Sequence, residues 1–133
     1  MSEVKKGRGY IYSIQYHIVW CVKYRQKILN TNIEKSLKQI LLKIASDNGI
    51  GMLEMETDKD HIHLLVDCTP QQQIPSIIKA LKGVSARLLF LQHPEIKKGL
   101  WGEHLWNPSY FVATVSENTE VQIRNYINNQ KVK

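Results

Sequence analysis

IGMLEMETDKDHIHLLVD, residues 50–67, holds two runs of alternating character separated by a short polar turn. In the first, Leu53 and Met55 alternate with Glu54 and Glu56. In the second, Ile62, Leu64 and Val66 alternate with His61 and His63. Side chains along a strand point to opposite faces in turn, so each run has an apolar side and the two together predict a β-hairpin. His61 and His63, separated only by Ile62, then project the same way, from the face opposite Ile62, Leu64 and Val66.

Upstream, residues 10–24 alternate as one long strand: Tyr10, Tyr12, Ile14, Tyr16, Ile18, Trp20 and Val22 fall on one side, Ser13, Gln15, His17 and Lys23 on the other. Thr31 and Glu34 have capping-box spacing, and Ile33, Leu37, Ile40, Leu41 and Ile44 recur at helical intervals until Asp47-Asn48-Gly49 supplies a stop. Downstream of the hairpin, Pro75 opens a second helix whose Ile74, Ile77, Ile78, Leu81, Leu88 and Leu89 share a face, with Gly83 and Ser85 marking a close approach. A loop rich in Gly, Trp and Pro follows at 101–108, then a strand at 110–115, and a helix capped within 116–119 that runs to about Gln130. The order strand, helix, strand, strand, helix, strand, helix predicts an α+β fold. It is a ferredoxin-like, RRM-like sandwich (βαββαβ) with an antiparallel sheet, helices on one face and an added C-terminal helix. The first strand should lie beside the strand of His61 and His63.

The length of 133 residues fits one domain spanning 1–133 with a single core. An ordinary globular mix, 43% hydrophobic and 23% charged, excludes a disordered or fibrous chain. No apolar run reaches the roughly 18 residues of a membrane span. Lys5, Lys6 and Arg8 are followed by no apolar stretch of signal-peptide type, so a cytoplasmic location is expected. Cys21 and Cys68 lie far apart inside apolar runs and read as buried thiols. Eighteen Lys and Arg against twelve Asp and Glu leave a net charge of +6, which favours a polyanionic partner without requiring one.

Two constellations carry chemistry. Paired imidazoles on one side of a strand form a two-point metal grip, although the same spacing is common among surface histidines. In the last helix Ile123, Tyr126, Ile127 and Gln130 stand at i, i+3, i+4 and i+7. Tyr126 and Gln130 therefore share a face, and an amide at the end of an apolar stripe suits a ligand or a hydrogen-bonding group better than packing.

The segments Tyr16-His17-Ile18-Val19-Trp20, Asp58-Lys59-Asp60-His61-Ile62-His63-Leu64-Leu65-Val66, Leu105-Trp106-Asn107-Pro108-Ser109-Tyr110 and Tyr126-Ile127-Asn128-Asn129-Gln130 resemble the single-tyrosine HUH transposases, TnpA-type, of the smallest insertion sequences. The similarity runs from about Lys5 to Gln130. It implies that Tyr126 is the nucleophile and that His61, His63 and Gln130 are ligands of a divalent metal ion, magnesium or manganese. It further implies cleavage and rejoining of single-stranded DNA at transposon ends marked by hairpins, through a 5′-phosphotyrosine. A homodimer in which the tyrosine helix of one subunit completes the histidine site of the other is also implied, with residues 116–118 as a hinge.

For DNA contacts the sequence offers Lys5, Lys6 and Arg8, the run Lys23, Tyr24, Arg25 and Lys27, and, on the second helix, Lys79, Lys82 and Arg87. His17 shares the polar side of its strand with the histidine pair and is expected beside the site, as a DNA contact or a group supporting the ligands. Trp101 and Trp106 suit plugging the core edge more than stacking on bases. Two other readings remain open: a non-catalytic single-stranded nucleic-acid-binding module of ferredoxin-like fold, and a metal hydrolase in which Tyr126 only packs. The RNP-type aromatic run of RNA-recognition domains is absent, which counts against the former.

Overall fold

A computed structural model describes residues 5–7, 10–12, 14–100, 104–115 and 119–130. β1 (Lys5–Gly7) and β2 (Tyr10–Tyr12) pair with each other as a separate two-stranded ribbon. β3 (Gln15–Cys21), β4 (Gly51–Thr57), β5 (His61–Asp67) and β6 (Phe111–Thr114) form the main antiparallel sheet in the order β4-β5-β3-β6. The expected 10–24 strand is thus two strands in two different sheets, and residues Lys23–Arg25 form a 3₁₀ turn rather than its end. Period-two alternation alone does not show where one strand stops and the next begins.

α1 (Thr31–Asp47), α2 (Ile74–Ile78) and α3 (Ser85–Gln92) cover one face, with a π-helical turn, Lys79–Val84, joining the last two. The α1 cap is Asn30, whose side chain accepts from the Ile33 amide, so Thr31 is not the cap. Glu34 instead pairs with Lys38 one turn on. Gly49, at φ +68°, takes the left-handed conformation that ends the helix as its position suggests. Gly83 has open space where a Cβ would stand, so the close approach is at Ser85 alone.

Ile18, Trp20, Ile62, Leu64 and Val66 enter the core against Leu37, Leu41, Leu81 and Leu89. Slipping β5 by one residue would expose Ile62, Leu64 and Val66 and bury two imidazoles. At about 1.5–3 kcal/mol per aliphatic side chain that costs roughly 5–9 kcal/mol, comparable to the whole stability of a domain. The histidines are therefore fixed on the other face. A β-bulge between Met52 and Glu54 breaks the register of β4 and leaves Leu53 exposed, where simple alternation put it with Met55.

The other face is covered in part by α4 (Thr119–Asn128), which packs on β3 and β6. Val19 and Cys21 are consequently fully buried although they face away from the main core. Burial pushes the Cys21 and Cys68 thiols up to about 11, as inert interior groups. No helix among the described residues is long and apolar enough to cross a membrane.

Candidate active site

His61 and His63 stand on the face of β5 away from the main core, opposite Cys21 and Val19 of β3. Each ring has a partner. Asp60 Oδ1 lies 2.8 Å from His61 Nδ1. A carboxylate oxygen only accepts, so in the neutral ring the proton sits on Nδ1 and Nε2 keeps its lone pair. Asp60 is itself buried, and Arg25 Nε donates to its Oδ2 at 3.2 Å. Arg25 reaches it from a strained backbone: Tyr24 and Arg25 have φ of 58° and 53°, the left-handed region that non-glycine residues seldom adopt.

His17 Nδ1 lies 2.7 Å from His63 Nε2, with ring centroids 5.0 Å apart. On its other side His63 Nδ1 faces Glu56 Oε2 at 3.9 Å. Burial lowers the pKa of His63, and the neighbouring His17 lowers it further, against a smaller opposing pull from Glu56 and Glu54. His17 is lowered in the same way, chiefly by burial. Both rings are held neutral, the form that binds metal.

α4 carries its stripe over this face, with Ile123 buried. The Tyr126 ring packs on Phe111 at 5.8 Å between centroids, and its hydroxyl lies 2.8 Å from Ser109 Oγ. Gln130, just past the helix, accepts at Oε1 from Asn107 Nδ2 (2.7 Å) and Ser109 Oγ (3.2 Å), and donates from Nε2 to the Tyr126 carbonyl. Phenol and amide thus meet at one loop. Burial raises the Tyr126 pKa, opposed by the Ser109 hydrogen bond. The loop continues β6 along the end of β3: Val22 bridges Trp106, and the Asn107 amide donates to the Cys21 carbonyl.

Between α4 and the histidines lies a cleft of about 310 Å³, lined by His61, His63, Glu56, Asp58, Arg124 and Ile127 among others. Its size falls at the lower end of small-ligand sites. Tyr126 is on the adjoining side of the helix, toward Ser109. Among the described residues no three His, Cys, Asp or Glu side chains converge as a metal cage. Any third ligand has to be of another type or be brought in.

Of the predicted DNA contacts, Arg25 is committed to Asp60 and Lys82 to loop carbonyls, whereas Lys27 is exposed. Lys23 stacks its ammonium 5.7 Å from the centre of the Tyr24 ring. The side chains of Lys5 and Lys6, together with Arg8, Trp101 and the 116–118 hinge, lie outside the described residues. Trp106 is buried edge-on to Trp20 and donates to Ser85 Oγ, the core-edge role. Sequence reading passed over Asp60, Asn107, Ser109 and Arg124. Asp60 alone had a local signal, as a carboxylate next to His61.

A family model, Transposase IS200 like, matches residues 10–130. The chain is 54% identical over 128 residues to the ISDra2 transposase TnpA of Deinococcus radiodurans, covering 96% of this chain and 91% of that one. A crystal structure of a Deinococcus radiodurans chain assigned as a transposase superposes with a TM-score of 0.94 at 49% identity, over 97% of this chain and 99% of that one. The REP-associated tyrosine transposase bound to a REP hairpin shares the fold, with a TM-score of 0.59 at 17% identity over 96% of this chain and 72% of that one. With a core sheet that aims two histidines into a cleft beneath a tyrosine-bearing helix, and with these matches along nearly its whole length, the chain belongs to the IS200-like transposases, the single-tyrosine HUH family.

Proposed function

We propose that this transposase cuts and rejoins single-stranded DNA through a covalent bond to Tyr126, with His61, His63 and Gln130 as ligands of magnesium or manganese. The observation that carries the reading is α4: it walls the cleft of the histidines and brings the phenol and the amide to one loop at the end of the adjoining strand β3. The donors suit the ion. His61 offers Nε2, His63 is held neutral and offers its own once the hydrogen bond to His17 is given up, and a mixed nitrogen and oxygen set fits manganese well. When bound, the cation supplies polarisation of the scissile phosphate and offsets charge in the transition state. Gln130 Oε1 is engaged with Asn107 and Ser109, so joining the histidines requires it to give up those two bonds.

Tyr126 Oη forms a bond to phosphorus as the bond to the 3′-oxygen breaks; the phenol gives up its proton and the departing oxygen takes one. The product is a 5′-phosphotyrosine and a free 3′-hydroxyl. Because the ester is kept, a 3′-hydroxyl can attack it in reverse and release the phenol. At an ordinary pKa of about 10, roughly one phenol in a thousand is ionised at neutral pH, and burial of Tyr126 reduces that further, so loss of the proton has to accompany attack. Arg124, on the cleft wall, supplies a cation for a phosphate there.

One phenol holds one DNA end, and an element has two ends, which favours a homodimer with sites shared between subunits. The hairpin in the REP-associated neighbour and the net charge of +6 here support hairpin-bearing DNA as the partner. The test is incubation of wild type and Tyr126→Phe with such DNA and manganese, read on a denaturing gel. The reading expects a covalent adduct with wild type only. Nicking by both proteins means water is the nucleophile; binding without cleavage by either means a binding module.

A further inference from the structure

Lys82 lies in the π-helical turn Lys79–Val84 and is half-buried. Its Nζ donates to three successive carbonyls, of Asn107 at 2.6 Å, Pro108 at 3.3 Å and Ser109 at 3.1 Å. An ammonium has three N–H donors, and here each has an acceptor. The contact is demanding for both sides. Three carbonyl dipoles with their negative ends turned to one point repel one another unless a cation stands there, and Pro108 has no N–H with which to tie this stretch elsewhere. π-Helical turns are uncommon and tend to occur at functional positions; this one carries the lysine on the sheet-end loop.

The same loop presents Ser109 Oγ to the Tyr126 hydroxyl and Asn107 Nδ2 to Gln130. On the reading of Tyr126 as nucleophile, we infer that Lys82 is a positioning residue for strand cleavage: it clamps residues 107–109, and the clamped loop sets where the phenol stands. The three donors of Lys82 Nζ are spent on backbone carbonyls and not on the Tyr126 hydroxyl. It acts through Ser109. Burial drives its ammonium down to about 8, still above neutral pH, so the charge facing the three carbonyls is retained there.

The test uses Lys82→Met, which keeps the apolar stem and removes the donors, beside Ser109→Ala at an exposed position. Two readings are taken: the resonance of Tyr126 in protein carrying tyrosine labelled with heavy carbon at Cζ, free of metal and DNA, and the single-turnover rate of adduct formation at saturating hairpin DNA. The inference expects Lys82→Met to move the Tyr126 resonance toward its position in Ser109→Ala. It expects the adduct rate to fall about 10- to 100-fold, the scale of a small misplacement, at unchanged hairpin affinity. A purely structural lysine would change the melting temperature without moving that resonance. Lys82→Gln serves for the same readings should the methionine variant not fold. A Tyr126 resonance left at its wild-type position, or an unchanged rate, overturns the inference. Failure of wild type to form any adduct strikes at the nucleophile reading instead, and the resonance still tests the clamp.

Discussion

His17 Nδ1 and His63 Nε2 share one proton across 2.7 Å, between two neighbouring strands. Charging either ring places a cation in a part-buried pair, where burial disfavours it. Both groups have pKa values held below the ordinary 6.5, so between those values and 6.5 the unfolded chain binds more protons than the native one. Stability contributed by the pair is full above about pH 6.5 and is lost as pH falls through the folded values. Urea denaturation between about pH 7.5 and about pH 5 should show this decline, and the His17→Phe, His63→Phe double variant should flatten it. An equally steep decline in the double variant places the titration elsewhere.

Asp60 fixes the ring of His61 and is braced by Arg25. Supporting partners of metal-binding histidines are typically worth 10- to 100-fold in affinity. Asp60→Ala should weaken manganese binding by about that factor in calorimetry, and Arg25→Ala by less, because the carboxylate remains. Unchanged affinity in Asp60→Ala would remove Asp60 from the site.

Removal of one proposed ligand separates binding from chemistry. His63→Ala, or chelation of the wild type, should abolish adduct formation while hairpin binding measured by gel shift persists, since phosphate contacts made by lysines and arginines do not depend on the ion. Parallel loss of both would mean that the histidines hold the DNA surface itself.

Trp106 joins the loop to the helical layer through Ser85. Trp106→Phe loses that hydrogen bond and part of a packed ring, and should cost about 1–3 kcal/mol in urea denaturation. A cost near zero would show that the loop is held without it.

Period and polarity made the α+β order, the β4-β5 hairpin and the outward pair His61 and His63 readable, because one face of each element had to be apolar. Three features escaped that logic. Asn30 took the cap from Thr31, since both are capping residue types one position apart and the Thr31–Glu34 spacing does not decide which side chain accepts the free amide. The bulge in β4 and the π turn before α3 insert local offsets that leave the apolar stripe nearly intact. The convergence of Lys82, Asn107, Ser109 and Tyr126 joins residues far apart in the chain, and no local pattern marks such a meeting. Tyr126 and Gln130 were legible as neighbours on a helix; that both turn to Ser109 was not.

The most direct measurement concerns the linkage itself. After reaction with end-labelled hairpin DNA and manganese, trypsin should release the peptide of residues 125–131, bounded by Arg124 and Lys131, which contains Tyr126 as its only tyrosine. Tyr126 in this peptide should carry the cleaved strand through its 5′-phosphate, read after nuclease trimming as the added mass of a nucleotide 5′-phosphate. An unmodified peptide, with DNA cut all the same or attached at another residue, would contradict it.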